Sequence, residues 1–191
     1  MTSLAKDEII GDRTSSLMKD VVLVLSFAFL TGISAVMKVE IGAVPITMQT
    51  FVVLLSGALL GSKKGALSQL TYLLMGLSGI FWFARGGGIA YLLSPTFGYI
   101  IGFVLASFVV GWLYEKGMGK RIETAVMAML IGNIVLYIPG LLWLSRFIGF
   151  GKVLLIGFYP FVLGDLLKST LAGLLLMSIR KDRFIIKQPF F

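Results

Sequence analysis

Six stretches of this chain, each close to the roughly 20 residues that an apolar helix needs to cross a bilayer, are nearly free of charge. Residues 21–37, 41–62, 65–84, 89–114 and 124–145 contain no Asp, Glu, Lys or Arg. The run 89–114 is long enough for a loop followed by a helix from about Thr96. A sixth run, 160–179, carries two charges, Asp165 and Lys168. Composition agrees: 58% of the 191 residues are hydrophobic and 14% charged, against roughly 45–50% and 25% in soluble domains. The reading is an all-α membrane protein, a bundle of six transmembrane helices.

Charge placement gives that count an independent check. With six crossings, one side of the membrane holds the N-terminus, the turns near 63 and 120, and the C-terminus. Twelve of the 17 Lys and Arg residues fall there, four fall on the other side, and Lys168 lies within the bilayer. Basic residues concentrate in cytoplasmic loops, so both termini are expected in the cytoplasm. The organisation is then a cytoplasmic N-terminal segment (1–20), a membrane domain (21–179) and a basic cytoplasmic tail (180–191). The first apolar run follows a mixed-charge segment and no small-residue cleavage site follows it, so it reads as a helix rather than a signal peptide. The net charge of +8 is accounted for by orientation, and nucleic-acid binding is not expected.

Much chemistry is excluded outright. The chain has no Cys and no His, hence no thiolate nucleophile, imidazole base, disulfide or His- or Cys-ligated metal. No GxxxxGK[ST] sequence is present, so nothing marks a nucleotide site. An aspartyl protease within the membrane needs two buried acids, and Asp165 stands alone. The chain is not expected to be an enzyme.

Small residues recur four apart at Ala28/Gly32, Gly57/Gly61 and Gly98/Gly102, a spacing that lets helices approach closely in lipid. In the first run Thr31 and Ala35 extend the stripe, which gives a smooth ridge suited to a partner protein. Ala28, Gly32 and Ala35 are therefore the expected partner interface.

Three polar features cluster in the outer half. Gln49 lies a turn inside the second run, behind Val44-Pro45-Ile46-Thr47-Met48. Phe81-Trp82-Phe83-Ala84-Arg85-Gly86-Gly87-Gly88 places aromatics and one guanidinium beside three glycines that offer bare backbone groups. Asp165 and Lys168, three apart, share one face of the last helix and can pair. Ionised groups inside the bilayer cost about 2.5–3.5 kcal/mol each near its centre on insertion scales, and by default mark a functional site. The expected ligand site comprises Asp165, Lys168, Arg85, Gly86, Gly87, Gly88 and Gln49, with Phe81, Trp82, Phe83, Tyr91 and Tyr99 as apolar walls. A carboxylate accepts N–H donors, and Lys168 or Arg85 binds an oxyanion or carbonyl. The implied ligand is small, partly apolar, with N–H donors and a negative end, as a vitamin-like anion has.

Taken in order, Val44-Pro45-Ile46-Thr47-Met48-Gln49-Thr50, Gly57 with Leu60-Gly61, Tyr72-Leu73-Leu74-Met75-Gly76, Phe83-Ala84 with Gly87-Gly88, Ser94-Pro95-Thr96-Phe97-Gly98-Tyr99, and Pro160-Phe161 with Gly164-Asp165 and Lys168 resemble the BioY family, the biotin-specific S components of energy-coupling-factor transporters. The resemblance spans about residues 21–179. It implies a six-helix subunit of the bacterial cytoplasmic membrane that captures biotin from outside. Its implied partners are a transmembrane coupling subunit and two ATPases that hydrolyse the ATP, so no cofactor of its own is expected. Ala28 and Gly32 fall on the family's Ala-x-x-x-Ala face toward the coupling subunit, and Gly86 stands where the family often has Asn. Asp165 and Lys168 match its acid–amine pair. Asp165 would receive a ureido N–H and Lys168 the carbonyl or carboxylate, with the glycine loop closing above. The alternatives are an ion-coupled secondary transporter and an S component for another vitamin.

Overall fold

The computed structural model describes the backbone of residues 3–183 and the side chains of residues 14–179. Most of the expected basic tail, residues 184–191, lies outside the described residues. The elements in order are α1 (Ser3–Ser34), the two-residue strands β1 (Lys38–Val39) and β2 (Ile46–Thr47), α2 (Gln49–Leu77), a 3-10 turn (Ile89–Leu93), α3 (Phe97–Glu115), a second 3-10 turn (Met118–Lys120), α4 (Ile122–Ile148), α5 (Phe150–Gly157) and α6 (Tyr159–Arg183). Among the described residues, five helical stretches are long and apolar enough to cross a membrane.

The difference from six has a local cause. The expected second and third helices follow one another without a loop and together make up α2, which is broken at Gly61, whose φ of 80° and ψ of 175° lie where essentially only glycine is found. The chain doubles back there. In a straight helix Gly57 and Gly65 would lie about 12 Å apart along the axis, yet a Cβ on Gly65 would come within 2.8 Å of the Gly57 Cα. Side chains repeat the pattern across the two arms: Gln69 Nε2 donates to Ser56 Oγ at 3.0 Å and Gln49 Nε2 to Tyr72 Oη at 2.6 Å. Glu115, at the end of α3, accepts from the Ser62 N–H at 2.7 Å and from its hydroxyl at 2.9 Å. It thereby caps the start of the second arm, where helix N–H groups lack partners.

Helix limits also differ from the apolar runs. The strands β1 and β2 pair antiparallel, Lys38 with Thr47 and Val39 with Ile46. Pro45 therefore sits in a hairpin loop, and α2 begins at Gln49, later than the run's start at 41. At the other end α2 stops at Leu77, and the glycines at 79, 86 and 88 take positive φ in the loop beyond.

Packing follows the small residues. Gly98 and Gly102 of α3 press against the α4 backbone at Pro139 and Leu136, and Gly111 against Gly61 and Ser62. Two hydrogen-bonded rungs join α4 to α6: Asn133 Nδ2 donates to Ser169 Oγ at 3.0 Å, and Tyr137 Oη to Asp165 Oδ2. Stepping four residues forward on α4 steps four back on α6, so these helices run antiparallel.

The stripe on α1 requires a correction. Ala28 and Thr31 are fully buried and Ala35 nearly so. A Cβ on Gly32 would meet the Trp82 ring at 2.7 Å, and Thr31 Oγ1 donates to Gln69 Oε1 at 3.2 Å. The smooth ridge faces into the bundle because Trp82 and the second arm of α2 need the close approach. Large apolar side chains, among them Phe29 and Ile33, occupy the outward face.

Gly61→Ala is expected to lower stability by about 1–3 kcal/mol, the range for a residue forced into this backbone region, and the new methyl would also crowd the Glu115 carboxylate. Thermal unfolding in detergent micelles measures it; an unchanged melting temperature would contradict the turn's dependence on glycine.

Candidate ligand site

The end of the bundle that carries the hairpin loop and the loop after α2 contains a cavity with about 510 Å³ of empty space, part of it open to solvent. Val44, Pro45, Ala84, Tyr91 and Thr96 line it from the loops and the start of α3. Tyr99, Ile100, Phe103, Leu136 and Phe161 form apolar walls farther along the helices, and Thr47, Gln49, Thr50, Tyr137 and Lys168 supply polar groups.

Asp165 and Lys168 sit on α6 behind and within this wall, with 4% and 7% of their surface exposed. Lys168 Nζ is 2.9 Å from Asp165 Oδ1, 2.7 Å from Thr50 Oγ1 and 3.2 Å from the Thr47 carbonyl. An ammonium has three N–H donors, and these three acceptors match them. Thr50 Oγ1 also reaches Asp165 Oδ1 at 3.4 Å, while the Tyr137 hydroxyl donates to Oδ2. Leaving either ion without such partners would incur the full desolvation penalty of a buried charge. α2 and α4 therefore hold the pair from two sides.

Of the expected site residues, Gln49, Tyr91, Tyr99 and Lys168 line the cavity, and Asp165 bonds to three of its lining residues. Tyr99 is fixed by donating its hydroxyl to the Gly157 carbonyl at 2.9 Å. Gln49 is held by Tyr72, which packs on Trp82 and Phe83 with ring centroids 5.2 and 5.4 Å away. Phe83 in turn lies 4.5 Å from the Tyr91 ring and supports the wall from behind instead of lining it. Phe81 is 83% exposed, and Trp82 turns toward Phe29 and Gly32 of α1. Neither forms the expected wall.

The glycine loop and Arg85 also depart from expectation. Ala84 lines the cavity, whereas Arg85, Gly86, Gly87 and Gly88 do not. The Gly86 N–H donates to the Phe83 carbonyl at 3.2 Å and the Gly88 N–H to the Gly76 carbonyl at 2.7 Å, so these amides serve the loop's own fold. Gly87 is required because a Cβ there would collide with the Ile80 carbonyl. Arg85 is taken up by Glu40 Oε2 at 2.5 Å and by the Gly42 and Ala43 carbonyls at 2.6 and 2.9 Å. Lys38 completes the tie, with Nζ 2.9 Å from Glu40 Oε1 and 2.5 Å from the Ala84 carbonyl. These contacts fasten the hairpin loop 40–45 to the turn 83–86, and the two loops cover the cavity together.

Tyr137 and Thr50 were missed as site residues. Tyr137 is embedded in an apolar run, although Asn133 and Tyr137 stand four apart and so mark one polar face of α4. Thr50 directly follows Gln49.

The fold and the cavity define a helical membrane protein that encloses a small-molecule site around a buried acid–amine pair. The sequence model of the BioY family matches residues 5–183, and the chain belongs to that family. A probable biotin transporter BioY of Pyrococcus horikoshii is 44% identical over 155 residues, covering 81% of this chain and 91% of the relative. The biotin transporter BioY of Thermotoga maritima is 36% identical, with coverages of 81% and 92%. A crystal structure of the S component for biotin from an ECF-type ABC transporter superposes with a TM-score of 0.76 at 25% identity, covering 95% of each chain.

The cover has a definite pH response. Hydrogen bonds from Arg85, then from Lys38, lower the Glu40 carboxyl to about 2, whereas in the unfolded chain it titrates at about 4.3. Its contribution is therefore present above the unfolded value and is lost only as pH falls toward 2. Hydrogen exchange in residues 40–45 and 83–88 is expected to be as slow at about pH 5 as at pH 7, once corrected for intrinsic rates. Glu40→Gln should speed it at both. Equal protection in the variant would show that the ion pairs do not hold the loops.

Proposed function

We infer that this chain is the biotin-binding membrane subunit of an energy-coupling-factor uptake transporter. Membership of the BioY family supports the ligand, and the arrangement of the buried Asp165–Lys168 pair at the cavity is the observation that carries the reading. Biotin has ureido N–H donors and a carbonyl, an apolar ring and a carboxylate chain. A mostly apolar cavity with a few polar groups deep inside suits such a molecule.

On this reading the two arms of α2 are separate crossings, which with α1, α3, α4 and α6 make six. The arms are short for about 30 Å of hydrocarbon, and the segments flanking α2 complete the passage. Both termini then lie in the cytoplasm, in agreement with the distribution of basic residues, and the loops covering the cavity face outward. The chain sits in the cytoplasmic membrane of the cell. Energy comes from a transmembrane coupling subunit and its ATPases, and this subunit performs no chemistry of its own.

Isothermal titration of the purified protein is expected to show tight binding of biotin, with no competition from riboflavin, thiamine or niacin. Asp165→Asn should weaken biotin roughly 10- to 100-fold, the effect of losing a charged hydrogen-bond partner, while Thr47 and Thr50 still receive Lys168. Absence of biotin binding by the unaltered protein would overturn the assignment, whereas undiminished binding by the variant would overturn only the role of Asp165 at the site.

A further inference from the structure

Asp165 and Tyr137 differ in what they show to the cavity. Tyr137 lines it, Asp165 does not, and the Tyr137 hydroxyl donates its proton to Asp165 Oδ2. The direction of that bond is fixed by chemistry. Paired with the Lys168 ammonium at 2.9 Å, Asp165 is ionised, and an ionised carboxylate only accepts. A phenol has one proton. With that proton engaged in the hydrogen bond to Asp165, the hydroxyl oxygen of this cavity-lining residue can only accept. Its lone pairs are strengthened as acceptors, because hydrogen bonds in a chain polarise one another.

The ring is held firmly enough for this to matter. Tyr137 packs edge-on against Tyr99 and Phe158, with centroids 6.1 and 4.9 Å away. Lys168 complements it, since its three N–H groups already have acceptors.

We propose that Tyr137 is a specificity-determining residue that receives an N–H donor of the ligand on its hydroxyl oxygen, with Asp165 behind it fixing the hydroxyl as an acceptor. The residue selects for ligands that donate and against those of the same shape that cannot. A site built around a buried hydrogen-bonding group rejects an analogue lacking the partner far more strongly than an apolar pocket rejects a change of size.

This rests on the biotin reading, and the experiment separates the two. Binding of biotin and of biotin methylated on a ureido nitrogen is measured by titration to the unaltered protein, Tyr137→Phe and Asp165→Asn. The unaltered protein should prefer biotin by at least about 10-fold. Tyr137→Phe should lose roughly 10- to 100-fold in biotin affinity and discriminate the two ligands by less than about 3-fold. In Asp165→Asn the amide oxygen stays on the Lys168 ammonium and the amide nitrogen, at the place of Oδ2, donates to the Tyr137 oxygen; the hydroxyl is then free to donate, no room is added at the wall, and the preference should also shrink, which separates hydrogen bonding from the bulk of the methyl group. Monodisperse elution and an unchanged helical circular dichroism spectrum establish that each variant is folded. Should Tyr137→Phe not fold, the Asp165→Asn comparison decides alone. Biotin binding with full discrimination in the folded variants would overturn the role of Tyr137 and leave the biotin reading intact, whereas no biotin binding by the unaltered protein would remove the reading on which it rests.

Discussion

The contact on which the cavity end of this molecule depends is the ion pair between Asp165 and Lys168. Each ion alone would be strongly disfavoured in an apolar surrounding. Together they are tolerable because β2, α2 and α4 deliver the acceptors and donors that the pair leaves open: the Thr47 carbonyl and Thr50 for the ammonium, Tyr137 and Thr50 for the carboxylate. Two apolar side chains would pack here without any desolvation cost, so helix packing gives no reason for the pair. It fixes where three helices meet, and it sets a polar group at the wall of an otherwise apolar cavity.

That meeting point depends on the other half of the bundle. Gly61 reverses α2, which brings Tyr72 of the second arm opposite Gln49 at the start of the first. Below them, Gln69 bonds Thr31 of α1 and Ser56 of the first arm, and Ser56 bonds Ser107 of α3 at 2.8 Å. These bonds are buried, so each one lost would leave a polar group without a partner at a cost of about 1–3 kcal/mol. Such a network favours one register of α1, the two arms and α3 over its neighbours. Thr50 is thereby placed where Lys168 can reach it.

The helical membrane architecture was legible in the sequence because lipid imposes a long, uncharged signature that survives without knowledge of tertiary contacts. Asp165 and Lys168 stood out for the same reason, as charges where charge is expensive. What sequence periodicity could not supply was direction. Ala28 and Gly32 permit close approach on one face, but whether the neighbour is a partner or Trp82 of the same chain depends on a loop some fifty residues away. In the sequence Arg85 resembles a ligand contact because an isolated guanidinium beside glycines looks free; Glu40, the residue that takes it up, lies in a separate loop. Tyr137 escaped notice because a tyrosine in an apolar run is ordinary until the facing helix is known to carry an acid.

The floor and the cover of the cavity are mechanically joined through Lys168. Of its three N–H groups, one goes to the Thr47 carbonyl, and Thr47 belongs to β2, the strand that pairs with Lys38 and Val39. Lys38 and Glu40 continue that connection to Ala84 and Arg85 in the second covering loop. A ligand oxygen that engages the ammonium must take the place of one of its three present acceptors, since the donors are already used. Exchange of the Asp165 contact would separate a buried ion pair, and exchange of Thr50 would break the bridge to the carboxylate. The Thr47 carbonyl is the longest of the three contacts and belongs to a strand of two residues at the edge of the bundle. Of the three acceptors it is thus the one whose exchange would break neither the ion pair nor the bridge to the carboxylate.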